Sequence, residues 1–216
     1  MCGAAALSMV FKSFDISLEQ AQIWEEVRTQ VADGTWIAMS NRIAAFALDH
    51  GLRAVVMKAV QPIAVLARCW GSQVRVIINR RLAPDSSLGH FTVLAGITSD
   101  AVIEHDPQFG PNLSISNASL LQLWTPNAPY PQCDITGNFM IVFDRPGATP
   151  LTEVCAANHE QPRTLTCPNP NCSGKSVPFG IVPAVGCAFS DCGQRTCVEV
   201  VCPWCNADVY PHAVGP

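Results

Sequence analysis

Gly89-His90-Phe91-Thr92-Val93-Leu94-Ala95-Gly96-Ile97-Thr98-Ser99-Asp100-Ala101-Val102-Ile103-Glu104-His105-Asp106-Pro107 holds two apolar, β-branched runs separated by a polar turn. His90–Gly96 and Ala101–His105 read as strands, and the turn at Ile97–Asp100 makes them antiparallel neighbours. That pairing sets His90, at the start of one strand, beside Asp106, at the end of the next. Moving outward, Val74–Asn79, Asn112–Ile115 and Asn138–Phe143 also read as strands, and Leu52–Met57 as an earlier one.

The remainder of the N-terminal part is helical in pattern. Residues 2–14 form an apolar helix. A second helix starts at Ser17, with Gln20 three positions on as a capping box and Leu18, Ala21, Trp24 and Val27 as its apolar face. A third runs from Ala38 to His50 and stops at Gly51, a C-cap glycine. Pro62 opens a helix to Cys69, and Asn117–Trp124 forms a last short one. Helices first and strands after is the order of an α+β fold.

Composition narrows the class. Only 14% of the 216 residues are charged while 49% are apolar, which excludes bulk disorder. The net charge of −4 leaves no basic footprint for nucleic acid. No run reaches the roughly 20 apolar residues of a membrane span: residues 53–70 are broken by Lys58, Gln61 and Pro62, and residues 177–189 by Pro178 and Pro183. Cys2–Phe11 resembles a signal-peptide core but lacks a basic segment before it, so it reads as a buried helix.

Cysteine usage divides the chain. Of 11 cysteines, Cys2, Cys69, Cys133 and Cys155 are scattered, whereas Cys167, Cys172, Cys187, Cys192, Cys197, Cys202 and Cys205 crowd the C-terminal part. The reading is a domain over 1–145, a Pro-rich linker over 146–165, and a Cys-rich zinc-ribbon-like domain over 166–216. Such a short segment cannot build a large core and needs metal or disulfides.

Three residues point to nucleophilic chemistry. Cys2 begins a helix, where unpaired N–H groups and the dipole stabilise a thiolate. A thiolate nucleophile needs a base, usually His, oriented by a third polar group. His90 and Asp106 supply that pair. Ser8 lies mid-helix without a base, His105 alternates to the opposite face from Asp106, and His50 complements a helix end. Trp24, Trp36, Trp70 and Trp124 read as core.

Cys2-Gly-Ala-Ala-Ala-Leu-Ser-Met-Val, Gly89-His90-Phe91-Thr92-Val93-Leu94, Asp106-Pro107-Gln108-Phe109-Gly110 and Leu120 to Trp124 together resemble the bacteriocin-processing, double-glycine leader peptidases, a bacterial family of papain-like cysteine peptidases. The resemblance spans about residues 1–145. It implies a papain-like fold, a helical lobe carrying the cysteine and an antiparallel sheet carrying the histidine and aspartate. It also implies Cys2 as nucleophile, His90 as general base and then acid, Asp106 as orienter, and cleavage after two small residues of a leader peptide. The family's oxyanion glutamine precedes its nucleophile by several residues, and Met1 leaves no matching position. A start placed too late, a truncated chain, a substitute donor, the Cys2 backbone N–H acting alone, or a peptide-binding pseudo-peptidase each account for that. A thioester passing to an amine would make the chain a transpeptidase or amidase.

Cys167-Pro-Asn-Pro-Asn-Cys172 and Cys202-Pro-Trp-Cys205 resemble two zinc knuckles. Tetrahedral Zn²⁺ takes four soft ligands, and two close pairs on tight turns supply them. The expected structural set is Cys167, Cys172, Cys202 and Cys205. Cys187, Cys192 and Cys197 could complete a second set with His212, or replace a member of the first. Disulfides and a redox role for Cys202–Cys205 are the competing readings; the latter lacks the βαβ setting of a thioredoxin-like motif. A thiolate–zinc tail fits a reducing compartment, so the expected location is the cytoplasm. The expected partners are a peptide substrate and a protein contacting the tail.

Overall fold

The computed structural model describes residues 1–86, 89–124, 137–146, 164–172, 176–178, 181, 187, 192 and 195–210. Five helices and twelve strands alternate along these residues: α1 (Cys2–Ser13), α2 (Gln20–Val27), β1 (Arg28–Gln30), β2 (Trp36–Ala38), α3 (Ser40–Asp49), β3 (Arg53–Ala59), α4 (Pro62–Gly71), β4 (Arg75–Arg81), β5 (Gly89–Ile97), β6 (Ala101–Asp106), β7 (Gly110–Ser116), α5 (Asn117–Trp124), β8 (Phe139–Asp144), β9 (Thr164–Thr166), β10 (Ser176–Pro178), β11 (Cys197–Val201) and β12 (Asp208–Tyr210). The expected α+β class holds: an antiparallel sheet of eight strands, ordered β12-β11-β3-β8-β4-β5-β6-β7, is covered on both faces.

Period-two alternation builds both cores. Ala54 and Val56 of β3, Ile141 and Phe143 of β8, and Phe91 and Val93 of β5 meet Leu7, Val10, Phe11 and Ile43 of α1 and α3. The intervening residues Val55, Met57, Met140, Val142, Val76 and Ile78 face the other way, against Val65 and Leu66 of α4 and Leu120 and Trp124 of α5. Two covered faces explain why these strands read as nearly continuous apolar runs.

Local signals differ from expectation in three places. The second helix starts at Gln20, with Glu19 as its N-cap and no side-chain cap bond, so the Ser17 capping box is not made. The α1 exit explains this: Asp15 takes φ 59° and the Ile16 N–H bonds the Phe11 carbonyl, which leads the chain out extended. Residues before α3 form a hairpin instead, with Arg28 opposite Ala38. Trp36 and Trp70 are each 46% exposed rather than core; Trp36 lies under the Arg28 guanidinium at 4.6 Å. Gly51 does end α3, at φ +84°.

The Cys-rich segment shares the sheet with the rest of the chain. Val200 and Val201 of β11 pair with Met57 and Val56 of β3. Val200 packs into one core and Val201 into the other. The linker expected at 146–165 falls almost wholly outside the described residues, as do Cys133, Cys155 and His212. No helix among the described residues is long and apolar enough to cross a membrane.

Gly3 fixes how closely α1 meets its neighbours. A Cβ there would lie 2.7 Å from the Ala38 Cβ, 2.9 Å from Ile43 Cδ1 and 3.2 Å from Phe91 Cδ2. Ala38 cannot swing aside, so the backbone must yield. Gly3→Ala is expected to destabilise the fold by about 1–3 kcal/mol, despite alanine's better helix propensity, and thermal denaturation reads the loss. A variant as stable as wild type would show that the α1 packing is looser than this.

Candidate active site

Three elements converge on one end of the sheet. Cys2 is the first residue of α1, whose first intrahelical bond runs from the Ala5 N–H to the Met1 carbonyl. The N–H groups ahead of Ala5 are therefore the unpaired donors of a helix start. His90 is the second residue of β5 and Asp106 the last of β6. Leu94 stands opposite Glu104 in the β5–β6 ladder, and alternation puts His90 and Asp106 on that same face. They form a diagonal cross-strand pair, within side-chain reach.

The His90 Nε2 lies 2.9 Å from Asp106 Oδ1. Both side chains are nearly inaccessible, at 4% and 0%. The other ring nitrogen, Nδ1, is left for Cys2, whose thiol is in hydrogen-bonding contact with the imidazole and receives the Phe91 N–H. Asp106 Oδ1 also accepts the N–H groups of Gln108 at 2.8 Å and Phe109 at 3.1 Å. This is the turn that Asp106-Pro107 makes after β6. Phe109 covers the imidazole edge-on at 6.4 Å.

The electrostatics follow from these contacts. Burial acts upward on the Cys2 thiol. The His90 hydrogen bond, the Phe91 N–H, and the charges of His90 and the N-terminal amine outweigh it, so the thiol lies below its ordinary range. Burial acts downward on His90, but its bonds to Cys2 and Asp106 and their charges hold it above the usual imidazole value. Burial acts upward on Asp106, and the Gln108 N–H, His90 and the Phe109 N–H keep its carboxyl low. A lowered thiol against a raised imidazole is the condition for a thiolate–imidazolium pair.

Cys2 and His90 open into a cleft of ≈ 610 Å³, whose walls include Gln20, Trp24, Trp36 and Asn79. Sequence reading singled out neither Gln20 nor Asn79 as site residues. Asn79 stands opposite Phe91 and donates to Ser40 Oγ at 3.1 Å. Two further residues were missed. Arg80 is directly opposite His90 in the ladder and is ion-paired with both Glu104 at 2.8 Å and Asp106 at 3.3 Å. Among the described residues, the other two histidines and Ser8 have structural partners: Ser8 Oγ donates to the Leu18 carbonyl, His105 Nδ1 accepts the Asn112 N–H, and His50 stacks on Phe46.

A second cluster lies in the C-terminal segment. The sulfurs of Cys167, Cys172, Cys202 and Cys205 all fall within 4.8 Å of one another. Cys167 and Cys205 are 3.4 Å apart and Cys172 and Cys202 3.6 Å, too far for disulfides. Four ligands at about 2.3 Å around a tetrahedral centre stand about 3.8 Å apart, so four close cysteines here can hold a metal ion. This is the one such group among the described residues. Cys197 does not join it: it is fully buried, its Sγ donates to the Glu199 carbonyl, and burial pushes its thiol up to about 12. The adjoining loop reaches the main lobe, where Asn41 Nδ2 donates to the Pro203 carbonyl at 3.2 Å.

A family model described as the peptidase C39 family matches residues 1–133. A crystal structure of a C39-like peptidase from Bacillus anthracis is 14% identical, with a TM-score of 0.53, covering 67% of this chain and 88% of that one. A double-glycine motif protease from an AMS/PCAT transporter, crystallised with its leader peptide, is 19% identical, with a TM-score of 0.48, covering 67% of this chain and 84% of that one. No curated protein matches the chain.

Proposed function

The chain belongs to the peptidase C39 family and is a cysteine peptidase, and from that premise we propose that it cleaves peptides through Cys2, His90 and Asp106. The observation that carries this reading is the unbroken run of contacts from the Cys2 thiol through His90 to Asp106 at the cleft wall. The Cys2 thiolate attacks the scissile carbonyl. The Cys2 backbone N–H, at the positive end of α1, faces the oxyanion. Collapse breaks the C–N bond, the leaving amine takes its proton from His90 Nδ1, and a thioester remains on Cys2. His90 then draws a proton from water, which attacks the thioester and frees acid and thiol. Asp106 holds the Nε2–H throughout and offsets the imidazolium charge. The proposed substrate is a peptide cut after a pair of small residues, as the resemblance around Cys2, His90 and Asp106 implies.

For the tail, we propose Zn²⁺ on Cys167, Cys172, Cys202 and Cys205. Four thiolates fill a tetrahedral site and leave no open position, so its role is structural. The division at residues 146–165 is kept as a proposal on the same grounds, a catalytic lobe and a metal-held segment that completes its sheet.

The test is the pH profile of Cys2 alkylation, resolved by peptide mapping on folded, metal-loaded protein. Reactivity is expected to rise along a limb below about 8.5, the free-thiol value, because the folded thiol is lowered. His90→Ala removes the hydrogen bond and the charge, and the limb is expected to return toward that value. A wild-type Cys2 that is inert or titrates as a free thiol would falsify the triad and leave a peptide-binding module in a peptidase's shape.

A further inference from the structure

Behind the proposed triad lies a second set of buried charges. Arg80 is 6% exposed, Glu104 2% and Asp106 2%. The Arg80 Nε lies 3.2 Å from Glu104 Oε2 and its Nη2 lies 2.8 Å from the same oxygen. That Nη2 also reaches Asp106 Oδ2 at 3.3 Å, the oxygen that His90 does not use. The Nη1 donates to the Arg81 carbonyl at 3.0 Å. We infer that Arg80, steered by Glu104, is a positioning residue for the reaction, acting through Asp106. This rests on the Cys2–His90–Asp106 reading.

The argument begins with spacing. Glu104 and Asp106 are two apart on one strand, so their side chains share a face. Two adjacent buried carboxylates repel, and one would take up a proton. A protonated Asp106 could no longer offset an imidazolium. The Arg80 guanidinium sits between them, bonded to both, and offsets that repulsion. Its fork also ties down Asp106 Oδ2, so that Oδ1 stays aimed at His90 Nε2. A lone cation opposite His90 would oppose protonation of the imidazole. Glu104 cancels that charge, so the pair supplies geometry without an adverse field. Burying such a pair adds little stability over apolar residues of similar size, and stability alone is a weak reason for it. Among the described residues, the titratable or charged groups that meet His90 or Asp106 are Cys2 from α1 and Arg80 from β4, and Glu104 from β6 reaches them through Arg80.

The experiment compares the pH profile of Cys2 alkylation by iodoacetamide and the melting temperature in three full-length, metal-loaded proteins. Arg80→Lys keeps the charge, but a single ammonium cannot bridge both carboxylates in a fixed fork. Arg80→Met/Glu104→Gln removes both charges together and leaves no orphaned ion, so it folds even where a single replacement does not. Both variants are expected to alkylate about tenfold more slowly at neutral pH. The Cys2 limb should move up by about one unit, a tenfold change in thiolate fraction, while the double variant melts within a few degrees of wild type. A folded double variant with the wild-type profile overturns the inference alone. A wild-type Cys2 without a lowered limb overturns the triad reading and this inference with it.

Discussion

Cys2→Ala is expected to abolish acyl transfer while leaving the fold intact. Wild-type protein treated with an activated ester such as p-nitrophenyl acetate should release a burst of one p-nitrophenol per chain from Cys2, followed by slow turnover. The burst is the thioester forming faster than water removes it. The variant should show no burst, and its peptide hydrolysis should fall by about 10⁴-fold or more, as when the nucleophile is removed from a concerted triad. Cys2 is only half-buried and its thiol faces the cleft, so far-ultraviolet circular dichroism and the melting temperature should barely move. The other thiols give the control. Burial pushes Cys69 to about 12 and Cys197 to about 12, and neither should acylate. A burst that survives in Cys2→Ala would assign the nucleophile elsewhere.

The second large effect is metal removal. Elemental analysis of protein purified without chelator is expected to give one zinc per chain. Structural zinc sites bind with an apparent free energy of about 10–16 kcal/mol at neutral pH. Much of that energy is also folding energy here, because the ligands Cys202 and Cys205 directly follow β11. Stripping the ion would leave four sulfhydryls crowded within 4.8 Å, with burial already holding Cys167, Cys172 and Cys202 up toward the neutral thiol. Without the cation those thiols take up protons and the knuckles part. Calorimetry should then show the melting temperature lowered by more than about 10 °C, since 1 kcal/mol moves a chain of this size by about 2–4 °C. Cys172→Ser should reproduce part of the loss. A chain that binds no zinc and melts unchanged in chelator would mean that the segment is held by its apolar contacts alone.

The two halves of the site differed in how plainly the residues announced them. His90 and Asp106 were legible because period-two alternation and a four-residue turn determine which side chains meet. Cys2 was legible because a helix start changes thiol chemistry whatever surrounds it. Glu104 lay inside the same stretch and went unread: a charged residue in a strand ordinarily marks a solvated face, and only tertiary burial reverses that. Arg80 fell one residue past the expected end of its strand, among polar neighbours. The β1–β2 hairpin was hidden because each strand is three residues long and carries no clean alternation. In the tail, the spacing of Cys167, Cys172, Cys202 and Cys205 showed the cluster. Nothing local indicated that Cys197–Val201 would pair with β3 across some 140 intervening residues, because long-range pairing is decided by the partner's exposed edge.

That pairing has a consequence for synthesis. A ribosome makes α1 long before β11, the strand that closes the β3 edge. Between the emergence of Asp144, the end of β8, and Val201, the end of β11, β3 has one neighbour in place and one edge bare. At about 5–20 residues per second that interval lasts roughly 3–11 s. Throughout it the nascent chain carries an open, apolar sheet edge, the kind of surface that recruits other strands. Cys202 and Cys205 directly follow β11, so capture of the proposed metal would coincide with the closing of that edge, and a cell short of the ion would prolong the interval in which the chain is most prone to aggregate.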